Sequence, residues 1–229
     1  MVPVIIPKFR KPEQLERCLA ALRAQTTPVE PFVHDNNADN IGFTRAVNLG
    51  LRHAFDAREP HAIILNQDCY LRPDAVAKMI EFMNRTPRCA IGGIKQLSSL
   101  DEDAIIHGGC TQVFPYGVHI TGRVSQNECN VSAPMPWVNG ACMIARMNAV
   151  LDFGLMDENM FLVGSDSDWC YSARLRKWEV WYIADAVCIH EQGASATAPP
   201  EMLQLMRKDM KYWREKWIGS AAFTRLSQV

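Results

Sequence analysis

The chain opens with a short run of β-branched residues, "VPVIIP", and passes at once into "KPEQLERCLAALRAQ", where Leu15, Leu19 and Leu22 recur at helical spacing behind an early Pro12. The alternation then repeats. "VEPFVHD", "HAIILNQD" and "CAIGGI" read as strands, with "FTRAVNLGLRHAF" and "PDAVAKMIEFMNR" as the helices between them. This rhythm predicts an α/β domain with a mainly parallel central sheet flanked by helices, whose ligands sit at the carboxyl ends of the strands. Residues 95–136 lose the rhythm in polar turns, "HGG" and "FPYG", and predict a variable insert or extra hairpin over the cleft. Beyond them, "PWVNGACMIARMNAV" reads as a buried strand entering a short helix, "SDSDWCYSARLRK" as a helix, and "EVWYIADAVCIH" as a strand ending in His190. After "GASATAPP" comes a last helix, "EMLQLMRKDMKYWREKW". We expect one domain over 1–199, with residues 200–229 as a helix and tail packed on it.

Composition narrows the classes. The 229 residues carry 24 basic and 25 acidic side chains, without a basic run, so neither nucleic acid nor another polyanion is implied as partner. The eight cysteines, at 18, 69, 89, 110, 129, 142, 170 and 188, show no C-x-x-C pair or zinc spacing and sit mostly in apolar stretches. That pattern fits buried reduced thiols. The opening "MVPVIIPKF" has too short an apolar run for a signal peptide, and the expected location is cytoplasmic, with peripheral membrane contact as the variant.

Chemistry is expected where strands end. Asp35 in "FVHDNN", Asp68 in "ILNQDCY" and His190 in "VCIHEQG" each finish a predicted strand, and an open sheet would gather them along one edge. Oxygen and imidazole ligands suit Mn²⁺ or Mg²⁺ with a phosphate filling further positions. A lone Asp or His after a strand is more often a turn former or a hydrogen-bonded structural residue, so the set carries more than its members. Asp166 and Asp168 open a helix. Ser165 as N-cap with Asp168 reaching back to it would leave Asp166 free for other work; alternatively both acids merely cap.

In order along the chain, "VIIP", "HDNN", "NIGFTRAVNLGL", "LNQDCYLRPDAV", "VNGACMIAR" and "GLMDENMFLVGSDSDWCYSARLRKWEVWYIADAVCIH", with the glycine that follows, resemble family 2 glycosyltransferases of the GT-A, nucleotide-diphospho-sugar transferase fold, and most nearly the rhamnosyltransferase-like members. The resemblance covers most of residues 2–195. It implies a metal-dependent inverting enzyme that moves a sugar from a nucleotide-diphosphate donor, UDP- or dTDP-linked, to a hydroxyl of a saccharide or lipid-linked acceptor. Asp166 would be the catalytic base; Asp68 and His190 would hold Mn²⁺ or Mg²⁺. Asp35 would contact the base or ribose. Pro7, Asn36, Asn40, Gly42, Asn48, Asn66 and Gln67 would shape the donor pocket, and Gly140 and Ala141 would line the sugar. Trp137, Asp168 and Trp169 are expected on the acceptor side. The chain departs from the family pattern at Asn66, where an acid is usual, and at Ser165, where Glu is usual.

Other readings stay open at this level. A sugar nucleotidyltransferase would carry a glycine-rich basic loop after the first strand, and "PKFRKPEQ" has no glycine. A dinucleotide oxidoreductase would need G-x-G-x-x-G after a strand, and none follows one here. A degenerate glycosyltransferase-like binding module without turnover is the alternative that Asn66 and Ser165 motivate. In the last helix Met202, Met206, Met210, Trp213 and Trp217 form a stripe with Lys208, Lys211 and Lys216 nearby. The stripe would serve as a dimer or membrane surface, or pack on the domain's own core.

Overall fold

The computed structural model describes residues 1–116, 119–125, 127–191 and 199–227, without the side chains of 127 and 128. Most of "GASATAPP", with the glycine after His190, lies outside them. The elements run β1 (Val2–Lys8), α1 (Pro12–Arg23), β2 (Val29–Asp35), α2 (Gly42–Asp56), β3 (His61–Leu65), β4 (Cys69–Leu71), α3 (Ala75–Arg85) and β5 (Cys89–Ser98). There follow β6 (Ala104–His107), β7 (Gly122–Arg123), a 3₁₀ turn (Asn127–Asn130), β8 (Ala133–Pro134), β9 (Cys142–Arg146), α4 (Met147–Phe153), α5 (Ser165–Leu175), β10 (Glu179–His190), α6 (Pro200–Trp217) and α7 (Ala221–Ser227).

The α/β class is as expected, but the sheet is mixed rather than mainly parallel. Its order is β2-β1-β3-β9-β5-β10-β4. The β1–β2, β1–β3 and β5–β10 pairs are parallel, whereas β9 runs antiparallel between β3 and β5, and β4 antiparallel beside β10. The reversal of β9 has a functional consequence. An antiparallel strand starts where its parallel neighbours finish, so the "NGA" turn before β9 lands at the carboxyl edge beside Asn66–Asp68.

Strand side chains alternate between two cores. Val4, Ile6, Ile63 and Leu65 pack with Cys18, Leu22, Met79 and Met83 of α1 and α3. Ile5, Ile64, Met143 and Ala145 pack on the opposite face with Val47 and Leu51 of α2, Trp169 and Tyr171 of α5, and Trp213 and Trp217 of α6. All eight cysteines are buried and unpaired.

Two local features differ from the sequence expectation, and the extra hairpin expected within 95–136 is present. The strand before Asp68 stops at Leu65, and Cys69–Leu71 forms a separate short strand paired to β10. Residues 95–136 are partly regular, since β5 continues to Ser98 and folds back as a hairpin with β6. The methionine and tryptophan stripe of α6 splits. Trp213 and Trp217 enter the core, whereas Met206 and Met210 are half-buried and line a surface groove with Leu203.

Gly42 opens α2 with φ 85°, and a Cβ there would stand 2.6 Å from the Phe161 carbonyl oxygen. Phe43 N donates to the same oxygen at 2.8 Å, so this contact seats the 156–164 loop on α2. A Gly42→Ala protein should therefore lose roughly 1–3 kcal/mol, from positive-φ strain and steric conflict, read as a lower urea midpoint with unchanged slope.

Candidate active site

Asp166 lies in the first turn of α5, behind Gly164, whose φ of 83° is tolerated because it has no Cβ to meet Trp213. Gly164, not Ser165, is the N-cap; Ser165 is the first helical residue and its buried hydroxyl has no partner. The Asp166 carboxylate accepts from Gly140 N at 3.0 Å through Oδ2 and from Ser167 N at 2.8 Å through Oδ1. Burial raises its pKa above the ordinary carboxylate value, while these two N–H donors and the nearby His119 pull the other way. A half-buried carboxylate held by two N–H donors is positioned to accept a proton when ionised.

The capping box expected of Asp168 does not form. Asp168 is buried and its Oδ1 accepts from Trp217 Nε1 at 2.7 Å and pairs with Lys216 Nζ at 2.7 Å. Lys216 also bridges to Asp157 at 2.7 Å, and the carboxylates keep its ammonium pKa high despite burial. Asp168 thus anchors α6 and is not on an acceptor surface. The same correction applies to the two tryptophans. Trp169 is fully buried, donates to Gly154 O at 2.9 Å and packs on Phe153; Trp137 is buried, donates to Gln112 O at 2.9 Å and packs against Phe114 and His119. Their ring faces are occupied by protein.

The metal candidates fare differently. Asp68 sits in the turn after β3 and His190 at the end of β10, and β10 crosses beside β4 so that His190 pairs with Cys69. Asp68 Oδ1 and His190 Nε2 are 3.5 Å apart, both almost buried. With Cys69 they bring one ligand atom each within 4.8 Å. That separation is long for a direct hydrogen bond and suits two ligands sharing one cation. Burial opposes a charge on His190, but Asp68 outweighs it and lifts the imidazole above its ordinary pKa. His107, Cys110 and His119 also bring ligand atoms within 4.8 Å. There the two histidine Nδ1 atoms already face each other at 2.8 Å as a hydrogen bond, and the buried Nε2 of His107 has no acceptor for the proton that ligation through Nδ1 would place on it.

The expected donor residues divide into two groups. Asp35 is exposed and ionised, held low in pKa by the hydrogen bond from Lys8 Nζ at 2.8 Å and by Asn37 N. Asn36 is buried and accepts from Ile41 N, and Asn40 accepts from Gly42 N, so both shape the loop into α2. Pro7 lies in β1 opposite His34 of β2. Gln67 and Asn48, in contrast, spend their amides within the protein. Gln67 accepts from Phe9 N at 2.7 Å and donates to Phe9 O, holding the loop after β1, while Asn48 clasps both backbone groups of Met156 and Glu158 Oε1.

Backbone hydrogen bonds join these pieces. Asn66 N donates to Ala141 O at 2.8 Å, Gly140 N holds Asp166, and Ala141 N donates to Asn139 Oδ1 at 2.8 Å. Asn139 and Gln96 also take part, although residues in an unpatterned stretch offered no signal for Gln96. Asp209 of α6 is another residue that sequence reasoning missed. It is buried and accepts from Phe161 N, Leu162 N and Val163 N at 2.7–3.0 Å, gathering the loop that leads into Asp166.

Comparison with known proteins follows the same lines. A curated N-acetylglucosaminyl-diphospho-decaprenol L-rhamnosyltransferase of Mycobacterium tuberculosis is 25% identical over 244 residues, covering 87% of this chain and 79% of that protein. The structure of GalNAc-T7 with UDP, GalNAc and Mn²⁺ matches with a TM-score of 0.66 at 11% identity, over 100% of this chain and 54% of that one. That of S. aureus TarS 1-349 in complex with UDP matches at 0.58 and 14%, over 91% of this chain and 64% of that one. The present chain therefore spans about half of the GalNAc-T7 chain and less than two thirds of the TarS chain, and these two likenesses give the fold, GT-A. The model of the family described as glycosyltransferase like family 2 matches residues 32–214, well over half of the chain, and the protein belongs to that family.

Proposed function

We propose that this glycosyltransferase moves a sugar from a nucleotide-diphosphate donor to an acceptor hydroxyl with inversion, using Asp166 as base. The observation that carries the reading is the hydrogen-bonded seam that sets Asp166, Gly140, Ala141 and the Asn66–Asp68 turn side by side at one sheet edge. Asp166 would take the hydroxyl proton as the acceptor oxygen attacks the anomeric carbon. The bond to the diphosphate breaks, its electron pair leaves with the phosphate oxygen, and a single displacement inverts the centre. Asp68 and His190 would hold Mn²⁺ or Mg²⁺, which supplies positive charge to the departing diphosphate. Asp35 would receive the nucleoside, and Gly140 and Ala141, which lack bulk, would admit the sugar beside Asp166. UDP in the two structural neighbours supports a UDP-sugar, and the name of the mycobacterial relative supports a rhamnosyl donor such as a dTDP-sugar and a lipid-linked acceptor. No helix among the described residues is long and apolar enough to cross a membrane. The half-buried Met206 and Met210 beside Lys211 and Arg214 offer α6 as the face for a lipid surface or a second copy of the chain.

Thermal-shift assays with UDP-, dTDP- and GDP-sugars, with and without Mn²⁺, test the donor site by mass action. We expect a rise in Tm that needs one nucleotide together with Mn²⁺ and disappears in Asp68→Ala. A shift that survives in the variant would remove Asp68 from the site.

A further inference from the structure

We infer that Gln96 and Asn139 are positioning residues that set the tautomer of His190 and tie it to the loop facing Asp166. The inference rests on the metal reading of Asp68 and His190 only for its effect on cation affinity.

The direction of each bond follows from one backbone group. Ala141 N–H can only donate, so the Asn139 side-chain atom 2.8 Å from it is the amide oxygen. The same oxygen lies 3.0 Å from the Gln96 amide, and that end of Gln96 must be its NH₂. The other end, Oε1, then faces His190 Nδ1 at 2.9 Å and can only accept. His190 therefore carries its neutral proton on Nδ1, and the lone pair on Nε2 points to Asp68 Oδ1 at 3.5 Å. An imidazole lone pair against a carboxylate is repulsive unless a cation stands between them. Without the relay, Asp68 would draw the proton to Nε2 and block that ligand position.

The fold makes the chain of contacts rigid. Gln96 is fully buried in β5 opposite Cys188, so its side chain stands diagonally to that of His190 on the same face of the sheet. Asn139 precedes Gly140, whose N–H holds Asp166, and Ala141, whose carbonyl accepts from Asn66 N. One loop thus receives the relay from His190 and carries both the N–H that holds Asp166 and the carbonyl that accepts from the Asn66–Asp68 turn. Outer partners that orient a ligating histidine are generally worth about 10–100-fold in metal affinity.

The test uses the intact protein labelled with ¹⁵N-histidine. Long-range ¹H–¹⁵N correlation on the neutral imidazole, without metal, should show His190 protonated on Nδ1. In Gln96→Leu the proton should move to Nε2, and Mn²⁺ binding measured by calorimetry should weaken about 10–100-fold. Asn139→Asp keeps an oxygen for Ala141 N and Gln96 Nε2, and should keep both the tautomer and the affinity within about threefold. Asn139→Leu, at a half-buried loop position, should reproduce Gln96→Leu and serves if that variant does not fold. An Nε2–H tautomer in the wild type overturns the inference, as does a drop in Tm in Gln96→Leu with no change of tautomer. Failure of the wild type to bind Mn²⁺ would overturn the metal reading instead, and the NMR result would still decide the relay.

Discussion

Asp166→Asn is expected to lower sugar transfer by about 10²–10⁴-fold, the usual contribution of a positioned general base, while donor binding followed by thermal shift stays within a few-fold. Asn keeps the size of the side chain and one acceptor for Gly140 N or Ser167 N, so the loop stays in place and the basic oxygen is lost. The pH dependence gives a second check. Burial raises the Asp166 pKa from 3.8, so the folded protein holds this proton to higher pH than the unfolded chain does. Activity should fall as pH drops through the raised value, with an acid limb above the ordinary carboxylate range. Stability contributed at this site runs the other way. It is greatest below the unfolded value, declines as pH rises through the window between the two, and then levels off. Asp166→Asn should flatten both responses. Full transfer activity in Asp166→Asn would remove the residue from the base role, whatever the stability data show.

The largest loss of stability is expected at Asp209. Its carboxylate is buried in α6 and accepts from three successive backbone N–H groups, those of Phe161, Leu162 and Val163. Asp209→Ala leaves these donors without their acceptor and should cost roughly 3–5 kcal/mol, since each buried group orphaned in this way costs about 1–3 kcal/mol and the loop relaxes in part. The loop ends at Gly164 and feeds Asp166, and Trp213 Nε1 also donates to Ser167 Oγ at 3.1 Å. Transfer should therefore fall along with the urea midpoint. Asp209→Asn, which keeps an acceptor oxygen, should lose about half as much. If Asp209→Ala unfolds at the wild-type midpoint, α6 does not support the active-site loop.

Amphipathic repeats and β-branched runs were enough to specify the alternation of strands and helices, because a 3.6-residue or 2-residue period must bury its apolar face whatever the partner. They were also enough to point to Asp35, Asp68, Asp166 and His190, since these stand where elements begin or end and interrupt the apolar pattern. The family likeness strengthened that choice, and it too is carried by local motifs. Strand direction was not legible. Nothing in "CMIAR" distinguishes a parallel from an antiparallel strand, and only the pairing with β3, His61 opposite Arg146 and Leu65 opposite Cys142, shows that β9 reverses. The roles of Asp168, Trp137, Trp169, Asn48 and Gln67 were undecidable for a similar reason. A polar or aromatic side chain near a motif can face ligand or protein, and the choice depends on partners far away in sequence: Lys216 and Trp217 for Asp168, Met156 for Asn48, Phe9 for Gln67. Gln96 and Asp209 are the converse case, polar residues in stretches without a motif whose importance comes from being buried against His190 and the 161–163 loop. Local periodicity is a property of the chain, so the sequence determined the elements and the acids at their ends. Hydrogen-bond satisfaction of buried polar groups is a property of the packed molecule, so the tertiary structure alone decided which of those groups are spent inside and which remain for chemistry.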